Sequence, residues 1–146
     1  MSLREGSSSG NPLAAGLLGA CAVVQVGIGL YFIFARPPLL PEDLRFLALS
    51  PAGDEGLVRL RAWLDLVFTV MGGQMAAVGA LAAALALGAG SARPSSGEVV
   101  WVLLAGAASA GLMSGVNFAL GSDFRWLLLL PAVLWALATV ALWRAR

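Results

Sequence analysis

Four long apolar runs, at residues 12–35, 57–87, 98–120 and 125–143, decide what this chain can fold into. None carries a charge near its middle, whereas a helix on the surface of a soluble protein needs a polar outer face. At 1.5 Å rise per residue the first run reaches about 36 Å, enough to cross a hydrocarbon layer of about 30 Å. The chain is 60% hydrophobic and 12% charged over 146 residues. Soluble domains hold about 45–50% apolar and about 25% charged residues, so this surface is too poor in charge to face water. The sequence therefore predicts an all-α integral membrane four-helix bundle, one domain over residues 12–146, preceded by a Ser/Gly-rich disordered tail over residues 1–11. A cleaved signal peptide is the rival reading of the first run. It is disfavoured because such peptides have an apolar region of only about 7–15 residues.

Local signals place the helix ends. Asn11 before Pro12 is an N-cap followed by proline at the first helical position. Arg36-Pro37-Pro38 closes the first span. Pro41-Glu42-Asp43-Leu44-Arg45-Phe46-Leu47 reads as a short amphipathic helix in the longest loop, with Phe46, Leu47 and Leu49 lying on the membrane surface or capping the bundle. Ser50-Pro51-Ala52-Gly53 breaks it, and Asp54 and Glu55 fit the next helix start. Residues 88–97, with Arg93-Pro94, read as the second turn. Gly121 is the expected C-cap of the third span, whose short loop makes the third and fourth helices antiparallel neighbours. Trp63, Trp101, Trp126 and Trp143 fit interfacial anchors, and Pro131 falls inside the fourth span.

Orientation is weakly encoded. Arg4, Arg93, Arg144 and Arg146 share one side, against Arg36, Arg45, Arg59, Arg61 and Arg125 on the other. The reading adopted places both termini in the cytoplasm and the protein in the inner (plasma) membrane. The absence of Lys and His, with abundant Ala, Gly and Leu, points to a GC-rich bacterial genome.

Charged or amide side chains at membrane depth are expensive and so are the default functional candidates. Gln25, Gln74, Ser109, Ser114 and Asn117 are the polar residues at depth. Gln25, Gln74 and Asn117 are expected to bond one another, as interhelical glue or as a ring of amides holding a headgroup or small ligand. Gly106, Ala110, Ser114 and Asn117 share one stripe of the third span, and Cys21, Gln25 and Gly29 one stripe of the first. Gly111 and Gly115 form a GxxxG pair, read either as intrachain packing or as a dimer face. Gly72-Gly73 permits close approach or a bend. Arg61 and Asp65 stand one turn apart, as do Glu55 and Arg59, so interfacial ion pairs are expected. A proton-relay role for Asp65 is the sharper alternative, opposed by the neighbouring Arg61, which would hold it ionised.

Chemistry-bearing patterns are otherwise missing. With no His, the chain lacks the commonest general base and metal ligand. The single cysteine, Cys21, forms no intrachain disulfide and reads as a small hydrophobe in a helix interface. No phosphate loop, nucleophile–His pair or metal-ligand cluster occurs, so no cofactor is expected, and a net charge of +1 gives no case for nucleic acid.

The segments at residues 60–79 (LRAWLDLVFTVMGGQMAAVG) and 117–126 (NFALGSDFRW), with four spans, a longer first loop and a Gly-rich second helix, resemble small bacterial four-helix membrane proteins of the DoxX-like kind. The resemblance is one of layout over most of the chain and transfers no functional residue. It implies a four-helix fold and, as for some such proteins, a membrane subunit beside redox partners. The leading expectation is a non-catalytic scaffold or subunit of a membrane complex. The alternative is a small transporter or a lipid- or small-molecule-binding protein, as a monomer or as a dimer. A membrane enzyme using Arg61 and Asp65 ranks third. The expected partners are membrane lipids and a second copy or another membrane protein.

Overall fold

The computed structural model describes residues 10–48 and 55–145. Most of the expected tail, together with Leu49, the breaker at residues 50–53, Asp54 and Arg146, lies outside the described residues, as does the Glu55 side chain. The elements are α1 (Pro12–Phe34), α2 (Pro41–Phe46), α3 (Glu55–Ser91), α4 (Ser96–Gly106), a π-helical turn (Ala107–Gly111), α5 (Leu112–Ala119) and α6 (Arg125–Arg144). Four helices are long and apolar enough to cross a membrane: Pro12–Phe34, Gly56–Ser91, Ser96–Ala119 and Arg125–Arg144. The third of these is α4, the π turn and α5 in one run. Large apolar side chains such as Val23, Leu66, Leu103, Leu112 and Val140 point outward, as a surface solvated by lipid requires. This is an all-α membrane protein of four spans.

Each helix end has a local cause. The Asn11 side chain accepts from the Ala14 amide at 3.0 Å, and its Nδ2 donates to the Ala141 carbonyl at 2.9 Å. Its own amide donates to the Ala89 carbonyl at 2.7 Å, tying the start of α1 to the ends of α3 and α6. Gly121 adopts φ +65°, the left-handed conformation that glycine accommodates without strain. Two boundaries differ from expectation. Helix α3 continues to Ser91 through Gly88 and Gly90, and α4 begins at Ser96, two residues before the expected start of its span. The cause at α4 is a capping box: the Ser95 side chain accepts from the Glu98 amide at 3.3 Å, and the Glu98 carboxylate accepts from the Ser95 amide at 2.6 Å.

Packing follows small residues. The extensive α1–α3 interface closes over Gly29, Gly72 and Gly79, where a Cβ would stand 2.6–2.7 Å from atoms of the facing helix. Helix α6 packs on the other side of α1 and carries the third span in turn. Gly106, Ala110 and Ser114 are buried, so that stripe is intrachain packing, with Gly106 against the Trp135 indole. Gly115 is exposed, with no atom within 4 Å of where its Cβ would stand. The across-membrane order is thus α3, α1, α6, third span, and α3 makes little contact with the third span although only a short turn joins them.

The first-loop helix α2 caps the bundle end. Glu42 accepts from the Ser122 hydroxyl at 3.0 Å and from the Asp123 amide at 2.6 Å. Arg45 pairs with Asp123 at 2.7 Å, and that hydrogen bond raises its pKa further above the ordinary arginine value. Arg36 bonds Asp43 at 3.2 Å with its guanidinium 3.5 Å from the centre of the Phe68 ring, a cation–π contact. Asp43 also accepts from the Leu40 amide at 2.8 Å.

Candidate functional site

The polar residues singled out in the sequence do not converge. Gln25 is 2% exposed, and its Oε1 has no hydrogen-bond partner. The Gln74 side chain is exposed and makes no hydrogen bond among the described residues, so the expected amide cluster does not form. The reason is rotational: Gly72, Ala76 and Gly79 form the face of α3 against α1, and a position two residues from Gly72 lies about 200° round the helix. Asn117 is half-buried and donates to the Met113 carbonyl of its own helix at 2.9 Å. Arg61 and Asp65 are not paired either. Among the described residues the ion pairs are Arg36–Asp43 and Arg45–Asp123. Asp65 is exposed, and among the described residues the only hydrogen bond it makes beyond its helix ladder is through its backbone carbonyl, which accepts from the Thr69 hydroxyl at 2.9 Å.

Ser114 instead bonds across to the backbone of α6, close to Pro131. The Ser114 hydroxyl lies 2.7 Å from the Leu128 carbonyl and 2.8 Å from the Ala110 carbonyl. The buried Cys21 thiol donates to the Pro131 carbonyl at 3.4 Å. These contacts stitch α1, α5 and α6 together and are structural.

The larger concavities lie elsewhere. A groove of about 860 Å³ opens between α3 and the third span. Its α3 wall is Val78, Leu81, Leu85, Gly88 and Ala92, and its opposite wall is Glu98, Trp101, Ala105, Ala108 and Ser109. Leu18, Trp135 and Leu142 form the floor. Its depth has no free polar group: Trp135 Nε1 donates to the Val102 carbonyl at 2.7 Å, and the Ser109 hydroxyl to the Ala105 carbonyl at 2.6 Å. The charged residues, Arg93 and Glu98, stand at the turn end. A second pocket of about 410 Å³ lies under the α2 cap, where Asn117, Arg36, Glu42 and Ser122 meet Tyr31 and Phe124. Apart from Asn117, its named polar groups mostly serve the cap itself.

Of the groove-lining residues, sequence reasoning singled out Ser109 as a polar residue at depth and Trp101 as an interfacial anchor, and did not bring the walls together. Their signal was the Ala/Gly content of residues 82–92 and 105–111, which equally describes helix packing. No group of three or more His, Cys, Asp or Glu among the described residues is placed to hold a metal ion. Comparison with family models, curated proteins and solved structures yields no match.

Proposed function

We propose that this is a non-catalytic membrane protein that holds a lipid-like amphiphile in the groove between its second and third spans. The observation that carries this reading is the groove itself: about 860 Å³, apolar in its depth and charged only at its mouth. That volume falls within the range of about 300–1,000 Å³ typical of small-molecule sites. Aliphatic chains match its walls, whereas a sugar or nucleotide would lose its hydration without gaining partners.

The scaffold or subunit reading has one observation in its favour. The Gln74 amide on the outer face of α3 has no partner among the described residues, and in lipid such a group favours a partner helix. This is also where a DoxX-like relationship, with a neighbouring redox protein, would act. The two readings separate by native mass spectrometry of the protein released from nanodiscs. A lipid mass retained by the wild type and lost on Gly88→Phe with Ala105→Phe is the expected result. A lipid-free wild type at defined stoichiometry would overturn the amphiphile reading in favour of the scaffold. Within the proposal both termini face the cytoplasm of a bacterial cell. A reporter fused after Arg93 is then active only if it is a cytoplasmic reporter, and activity of a periplasmic one would reverse the assignment.

A further inference from the structure

We infer that the groove selects an anionic phospholipid, with one acyl chain between α3 and the third span and the phosphate at Arg93. The inference rests on the amphiphile reading and adds the class of headgroup.

The first support is the direction of the groove. Val78, Leu81, Leu85 and Gly88 repeat at spacings of three, four and three, and so do Glu98, Trp101, Ala105 and Ala108. Both stripes start at the turn joining α3 to α4 and run inward along antiparallel helices. From Ala92 back to Val78 is about 21 Å at 1.5 Å per residue. Half of a hydrocarbon layer of about 30 Å is roughly 15 Å, so the groove sheathes one chain through its own leaflet. A molecule lying along it carries its head at the turn.

The second support is charge. Arg93 and Glu98 are the two charged residues lining the groove. The Glu98 carboxylate accepts from the Ser95 amide at 2.6 Å, closing the start of α4, and makes no ion pair with Arg93. Among the described residues Arg93 has no carboxylate partner, which leaves its exposed guanidinium to a ligand anion, and the exposed Trp101 lines the same groove as an indole suited to the headgroup region. A phosphodiester whose charge is not cancelled by its own ammonium group complements this mouth, and a zwitterionic one does so less well.

The test uses the full-length protein in nanodiscs of equal phosphatidylglycerol and phosphatidylcholine, with retained lipids counted by native mass spectrometry. One arginine near the membrane surface is worth enough to favour the anionic lipid by about five-fold in the wild type. Arg93→Gln should retain lipid with the preference reduced to about two-fold or less. Gly88→Phe with Ala105→Phe should retain neither. No atom lies within 4 Å of where a Gly88 Cβ would stand, and an unfolding midpoint equal to wild type shows that this variant folds. Equal retention of both lipids by the wild type, or an unchanged preference in Arg93→Gln, overturns the headgroup assignment and leaves the groove reading standing. Undiminished lipid in the filled variant overturns the groove reading and this inference together.

Discussion

Replacing Gly29 by alanine should destabilise the fold by about 1–3 kcal/mol, the range for overpacking a close-packed interior. Intrinsic helix propensity argues for the opposite sign, because glycine is about 0.8–1.0 kcal/mol worse than alanine inside a helix. Sterics win here. A Cβ at Gly29 would stand 2.6 Å from the Gly72 carbonyl oxygen and 2.7 Å from the Ala76 amide nitrogen, backbone atoms that cannot rotate away. The contact is reciprocal, since a Cβ at Gly72 would stand 2.6 Å from the Gly29 carbonyl oxygen. Relief requires separating α1 from α3, and helices in lipid are held by that close packing because water expulsion contributes little between them. Gly73 is the control: no atom lies within 4 Å of where its Cβ would stand, so Gly73→Ala should gain up to about 1 kcal/mol. Unfolding midpoints of both variants in one detergent decide the matter. Equal stability of Gly29→Ala and wild type would mean that the helices do not cross this closely.

Hydropathy made the four spans readable because length and apolar content answer directly to bilayer thickness. Asn11-Pro12 and Gly121 were readable because each names a backbone conformation. The turn between the second and third spans was placed too broadly because Gly88 and Gly90 look like breakers. Glycine in a membrane helix is tolerated, since the chain there has no water to satisfy a broken ladder. The Ser95-Ser96-Gly97-Glu98 capping box was in plain view and would have fixed the start of α4. The π turn at Ala107–Gly111 has no comparable signature.

The site was less legible for a different reason. Scanning for polar residues finds what lipid makes expensive, and it found Ser114 and Gln25, which are both buried. It grouped Gln74 with them because depth can be read from position along the helix, whereas facing depends on which stripe of α3 meets α1. The stripe Gly72, Ala76, Gly79 carried that information and assigns Gln74 to the other side. The groove is harder still, because it arises from two neighbouring helices that fail to meet. Small residues on both walls have the same sequence signature as a tight helix contact, and only the order α3, α1, α6, third span distinguishes them.

Trp135 makes the groove and the fold interdependent. It is 3% exposed, floors the groove, donates to the Val102 carbonyl at 2.7 Å and packs its indole on Gly106. Trp135→Ala should cost about 3–5 kcal/mol, as expected for emptying a site of this size. Trp135→Phe, which keeps most of the buried area and loses the hydrogen bond, should cost less. Coupling to Gly106 provides a sharper test. Gly106→Ala alone should destabilise by about 1–3 kcal/mol, because the new Cβ collides with the indole. In the Trp135→Ala background that collision is gone and helix propensity should make the same change neutral or favourable. The cycle therefore predicts a coupling energy of roughly 2–3 kcal/mol in which the second substitution rescues part of the first. Additive effects would show that the third span and α6 do not meet through this pair. Strong coupling would show that the groove has a rigid aromatic floor, so that lipid lost on Gly88→Phe with Ala105→Phe reflects filling of the groove and not collapse beneath it.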